Sequence, residues 1–169
     1  MRFHTFLSHN WGTDESGRDN HARVIKVGQR LKEAGFNPWI DEEYMRGDVN
    51  KTMAEAIGNS SSVIAFITKD YVEKASGYGR GGGDDNCKFE FDSALMSEHL
   101  GVDKIIAVVM EPRCKNPRAW PDGTVKGKLA GKLYIDLAED DDKAFDAGID
   151  RLVTELRKVL GDATNPMAT

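Results

Sequence analysis

"LKEAGFNPWIDEEYMRGDVNKTMAEAIGNSSSVIAFITKDYV", residues 31–72, decides the fold of this 169-residue chain. It opens on the end of an amphipathic helix. Over 22–35, Val24, Val27, Leu31 and Ala34 recur at helical spacing, and Gly35 is a natural C-terminal stop. "FNPWID" (36–41) then reads as a short strand, and its Pro38 suits a sheet edge or a strand start. "DEEYMRGD" (41–48) is a polar loop. "VNKTMAEAIGN" (49–59) is helical, with Met53, Ala56 and Ile57 on one face. "SVIAFIT" (62–68) is a continuous apolar run, the pattern of a strand covered on both faces.

The same alternation continues outward in both directions. "HTFLS" (4–8) precedes it as a first strand, "KIIAVVME" (104–111) repeats the buried-strand pattern, and "KLYIDL" (132–137) is a weaker fifth strand. "KAFDAGIDRLVTELRKVLG" (143–161) closes the chain as an amphipathic helix along Phe145, Ile149, Leu152, Leu156 and Val159 or Leu160. Strands alternating with helices predict an α/β fold: a flavodoxin-like, five-stranded parallel sheet with helices on both faces. No repeat or interdomain hinge interrupts it, so one domain over 1–161 and a disordered tail over 162–169 are expected. Such sheets bind ligands outside the carboxyl ends of their strands. The loops at 9–20, 41–48, 69–86 and 111–128 are therefore the ones to watch.

Composition narrows the partners. A formal net charge of -5 argues against a nucleic-acid backbone or an anionic membrane, both of which call for a basic face. No apolar run approaches the roughly 20 residues that span a bilayer. The opening "MRFHTFLSHNWG" carries no secretory apolar region, which leads to the expectation of a cytoplasmic protein. Cys87 and Cys114 make neither a disulfide framework nor a metal quartet and read as small buried hydrophobes. His4, His9, His21 and His99 have no metal-ligand spacing.

Two stretches bear on chemistry. In "DDNCKFEFDSAL" (84–95), a helix at about 86–98 places Cys87, Phe91, Ala94 and Leu95 on its buried stripe. Glu90 falls at the edge of that stripe. Pattern alone favours a solvated charge near the helix start, where the dipole suits an anion; the other reading is a carboxylate held at a pocket. "SHNWGTDESGRDN" (8–20) follows the first strand and brings Ser8, His9, Asn10, Trp11 and Gly12 to its carboxyl end. Trp11 either caps the core or stacks on a planar ligand.

Other motifs fail on inspection. "SGYGRGGGDD" (76–85) has no Lys-Ser/Thr after its glycines and does not open on a strand, so it is neither a P-loop nor a dinucleotide fingerprint. A flexible insertion is the better reading. A phosphoreceiver site needs an Asp ending the third strand and a Lys ending the fifth; "FITKD" and "KLYIDL" supply neither. No G-x-S-x-G marks a hydrolase nucleophile.

These segments, in this order, resemble a TIR domain (Toll/interleukin-1 receptor/resistance protein) over about residues 3–160. The strongest piece reads Gly35-Phe36-x-x-Trp39-Ile40-Asp41, an acidic loop, Arg46-Gly47, then a helix and a strand ending Thr68-x-x-Tyr71. The plant-type Cys-x-x-Glu and the animal-type Glu-x-x-x-Ala-Leu both converge on Glu90, through Cys87 and through Ala94-Leu95. The resemblance implies an NAD+ nucleosidase that releases nicotinamide and ADP-ribose or a cyclic isomer, in signalling or innate defence. Glu90 would be catalytic. Ser8, His9, Asn10, Trp11, Gly12, Trp39, Asp41 and Cys87 would contact substrate. NAD+ would be the substrate, with NADP+ also open, and no cofactor or metal is implied. Self-association or pairing with other TIR domains is expected. The rival readings are a non-catalytic TIR interaction module and a nucleoside 2-deoxyribosyltransferase-like enzyme, against which "WIDEEYMRGD" argues. The chain departs from the family pattern at Asn86, which replaces an aromatic. Asn10 and Trp11 replace basic residues, and the connection over 76–84 is long.

Overall fold

A computed structural model describes residues 2–41, 49–77, 86–139 and 141–161. Most of "DEEYMRGD", most of the Gly-rich stretch and the 162–169 tail lie outside the described residues.

Five strands form one parallel sheet: β1 (Thr5–Ser8), β2 (Pro38–Trp39), β3 (Val63–Ile67), β4 (Ile105–Val109) and β5 (Tyr134–Asp136). Their order is β2-β1-β3-β4-β5, the expected flavodoxin-like layout. β2 is shorter than its sequence predicts. Pro38 has no N–H for a ladder, and the strand sits at the sheet edge, where that omission costs least. β3 and β4 are buried along their whole length, as their unbroken apolar runs require.

The helices are α1 (Asn20–Glu33), α2 (Val49–Gly58), α3 (Lys69–Ala75), α4 (Asn86–Met96), α5 (Thr124–Leu129) and α6 (Asp142–Leu160). Side chains alternate between the faces of the sheet with period two. Phe6, Val63, Ala65 and Ile67 pack with Ile57, Tyr71, Phe91 and Leu129 from the helices α2 to α5. Leu7, Ile64, Phe66 and Val108 pack on the other face with Val24, Val27 and Leu31 of α1 and Ile149, Leu152 and Leu156 of α6.

Local chemistry sets the boundaries. The Asp19 side chain accepts the Ala22 N–H and starts α1, while Gly35, at φ 95°, lets the Phe36 N–H turn back to the Leu31 carbonyl. Gly148 lets α6 lie close on β5: a Cβ there would meet the Asp136 carbonyl oxygen at 2.9 Å and the Leu137 side chain closer still.

Two expected loops contain helices. The segment after β3 begins with α3, because the Thr68 hydroxyl accepts the Tyr71 N–H at 3.1 Å and Asp70 occupies the first turn. The segment after β4 contains α5 and short 3-10 turns, with Trp120 donating its indole N–H to the Cys114 carbonyl at 2.8 Å. Helix α4 ends at Met96, two residues earlier than about 98.

Candidate active site at the carboxyl end of β1

β1 neighbours β2 on one side and β3 on the other, so the connections leave it in opposite directions. That reversal opens the sheet at the carboxyl end of β1, where Ser8 is the last strand residue. α3 follows the adjacent end of β3, and α4 packs on both α3 and β1.

Glu90 lies at this junction and is buried, only 5% exposed. It shares a helix face with Cys87 and Ala94, three residues before it and four after, both also buried. The surface reading suggested by its pattern is thereby overturned. Its position also differs from the expectation in a second way. Glu90 is past the first turn of α4, which holds no acid, so the helix dipole is a minor influence.

What holds the carboxylate is β1. The Ser8 hydroxyl donates to Glu90 Oε2 at 2.6 Å. Ser8 Oγ also lies 2.8 Å from the Tyr71 hydroxyl. A serine has one proton, so with that proton on the carboxylate the tyrosine donates to the serine. The result is a directed chain, Tyr71 to Ser8 to Glu90, assembled from α3, β1 and α4. Burying a carboxyl group this deeply calls for such partners.

The residues after Ser8 continue outward. Cys87 donates its thiol to the His9 carbonyl at 3.6 Å, which pins the start of α4 to the loop. The Asn10 carbonyl accepts from Asn20 Nδ2 at 2.8 Å, and Asn10 Oδ1 accepts from Lys74 Nζ at 2.7 Å. Gly12 leaves room for this: a Cβ there would stand 3.0 Å from Asn10 Nδ2.

His9 and His21 form a second, inner pair. Burial pushes the His9 pKa down to about 4, against the opposing effect of the Leu7 carbonyl. Neutral His9 therefore donates Nδ1–H to Leu7 O at 3.0 Å, and its Nε2 accepts from His21 Nδ1–H at 2.6 Å. Trp11, 40% exposed, stacks on the His21 ring with centroids 3.5 Å apart. Its ring thus covers the histidine pair and also reaches the surface.

The remaining predicted residues lie further out. Trp39 is half-buried and stacks on Phe6 at 4.6 Å, so one indole face belongs to the core. Asp41 is half-buried just beyond β2. The motif Thr68-x-x-Tyr71 marks a strand end in the sequence and gives Tyr71 no site role. The usable signal was the capping threonine, which aims Tyr71 from the first turn of a helix at the end of β1.

Glu111 braces the site from below. Fully buried, it accepts from the backbone N–H groups of Lys69 and Glu15 and from the Arg113 side chain, at 2.7, 2.8 and 2.8 Å. Burial pushes its carboxyl up, but these donors together hold it below the usual carboxylate range. It fixes the start of α3, and with it Tyr71. Cys114 is buried and free, and burial beside Glu111 pushes its thiol up to about 12, so it is inert. Among the described residues, no group of three His, Cys, Asp or Glu is placed to hold a metal ion, and no helix is long and apolar enough to cross a membrane.

A five-stranded parallel sheet in this order defines a flavodoxin-like α/β protein, and comparison with known proteins identifies its family. The TIR domain family model matches residues 5–153, and the chain belongs to that family. Among solved structures, the fold is similar to the TIR domains in the structure of the activated Roq1 resistosome directly recognising the pathogen effector XopQ. The TM-score is 0.60 at 14% identity, covering 91% of this chain and 99% of that one. No curated protein matches the chain.

Proposed function

We propose that this TIR domain is an NAD+ nucleosidase that cleaves the bond between nicotinamide and ribose, with Glu90 as its catalytic residue. The observation that carries this reading is a buried carboxylate, oriented by Ser8, at the switch point of the sheet.

The chemistry suits a single carboxylate. Glycosidases usually need a second one to protonate a leaving oxygen. The nicotinamide nitrogen of NAD+ is already cationic, so it takes the C1'–N bonding pair and leaves neutral. Positive charge then develops on the ribose ring. Glu90 stabilises that charge directly, or bonds to C1' until water displaces it and restores the carboxylate; in either case the water bonds to C1' and gives up a proton, yielding ADP-ribose. A hydroxyl of the ribose adding in place of water, or a ring nitrogen of the adenine, would give a cyclic isomer. No added cofactor is needed. Trp11, at the surface in the loop after β1, is suited to stack on a planar ring.

The biological setting belongs to the same proposal: a cytoplasmic signalling or defence protein whose site is completed by self-association. The Roq1 TIR domains were solved in an assembled resistosome, which supports this by analogy. Nicotinamide release per protomer should accordingly rise with protein concentration; a flat rate over a wide dilution series contradicts the assembly requirement. Nicotinamide release by the wild-type chain, lost in Glu90→Ala, tests the activity itself.

A further inference from the structure

A dinucleotide brings a pyrophosphate as well as a glycosidic bond, and the loop beside Glu90 has no cation to meet it. Residues 8–17 contain neither Lys nor Arg. Arg18 is next, but its Nε is 2.7 Å from Asp14 Oδ2 and its Nη2 donates to the Met110 carbonyl. Arg23 is bound to the same aspartate and to the carbonyls of Met110 and Leu137, at 3.0, 2.7 and 2.6 Å. Both guanidinium groups are tied down at the ends of β4 and β5.

Lys74 differs from them. It projects from α3 on the same face as Tyr71, one turn on. It is half-buried, and its Nζ is held 2.7 Å from Asn10 Oδ1, a neutral amide rather than a carboxylate. Ser8 and Asn10 are two residues apart, so the Tyr71–Ser8 and Lys74–Asn10 contacts are successive rungs between α3 and the end of β1. Two residues of chain span at most about 7 Å. In a nicotinamide dinucleotide, the first phosphate hangs from the ribose 5'-carbon, at a comparable distance from C1'. An ammonium group that makes no direct ion pair among the described residues, with Asp70 one turn before it on α3, thus stands one rung outward from Glu90.

We infer that Lys74 is the pyrophosphate-binding residue of this site, with Asn10 holding its ammonium group in place. The inference rests on the nucleotide reading of the Glu90 site and adds how the substrate's anionic centre is recognised. When substrate enters, Lys74 Nζ has three protons to share between Asn10 Oδ1 and phosphate oxygens. A charged hydrogen bond of this kind selects phosphate-bearing nucleotides over nucleosides.

The test is equilibrium binding of ADP-ribose and of adenosine to the wild-type chain, Lys74→Met and Lys74→Arg. On the same wild-type sample, nicotinamide release from NAD+ is measured. Lys74→Met should weaken ADP-ribose binding about tenfold or more, the effect of one lost charged hydrogen bond. Lys74→Arg should recover most of that loss, and adenosine should bind all three alike. Equal ADP-ribose affinity for wild type and Lys74→Met overturns the inference. So does parallel loss of ADP-ribose and adenosine binding, which marks Lys74 as structural, and so does a wild-type chain that does not bind ADP-ribose. Lys74-dependent binding without nicotinamide release removes the enzymatic reading and leaves the phosphate site standing. Nicotinamide release with Lys74-independent binding does the reverse.

Discussion

Ser8 Oγ lies 2.6 Å from Glu90 Oε2, across 82 residues of sequence, and donates its only proton there. That contact ties the last residue of β1 to the middle of α4. It makes the orientation of the carboxylate a property of the sheet.

Removing the contact should therefore damage turnover more than folding. Ser8→Ala is expected to lower kcat about tenfold to a hundredfold, the effect of a misaimed catalytic group. Tyr71→Phe removes the donor behind Ser8 and should cost about fivefold. Nicotinamide release at saturating NAD+ reads both. Equal activity in Ser8→Ala and wild type would show that Ser8 does not position Glu90.

His9 sets a pH dependence of stability. Its folded pKa of about 4 lies below the ordinary 6.5, so the unfolded chain binds the extra proton between those values. Stability is fully present above about 6.5 and is lost as pH falls toward 4. The shift corresponds to about 3 kcal/mol. Asp14 and Glu111, both held below the carboxylate range despite their burial, add their losses at lower pH still. Urea denaturation from pH 7 down to 5 reads the histidine contribution, to which His4, also lowered by burial, adds with the same sign. His9→Asn, which keeps a donor for the Leu7 carbonyl, should flatten the slope.

Two glycines in helices should respond in opposite directions to Ala. At Gly148 the helix preference for Ala is worth about 1 kcal/mol. The Asp136 carbonyl at 2.9 Å from the new Cβ cannot yield without moving β5, and overpacking costs about 1–3 kcal/mol. Gly148→Ala should thus lower Tm. At Gly127 a Cβ meets nothing within 4 Å, so Gly127→Ala should raise Tm by a few degrees. Thermal unfolding followed by circular dichroism checks both.

The sheet was legible because β3 and β4 announce themselves as unbroken apolar runs and because Val24, Val27 and Leu31 keep helical period. The parts that were not legible depend on contacts across the chain. α3 is seven residues long, too short for its period to stand out, and its start rests on the Thr68 cap and on Glu111, 42 residues beyond Lys69. Glu90 is the clearest case. Its helical position suggested a surface charge, since nothing local reveals that Ser8 and Tyr71 will meet it. Only the family resemblance singled it out. Lys74 carried no signal at all, because its meaning comes from Asn10.

The most direct test of the account is quantitative chromatography of concentrated wild-type and Glu90→Ala protein incubated with NAD+. The account predicts nicotinamide and an ADP-ribose product from wild type, reduced at least about a hundredfold in Glu90→Ala, with both proteins equally folded. Equal release by the two proteins, or none from wild type even under crowding that promotes assembly, would contradict it.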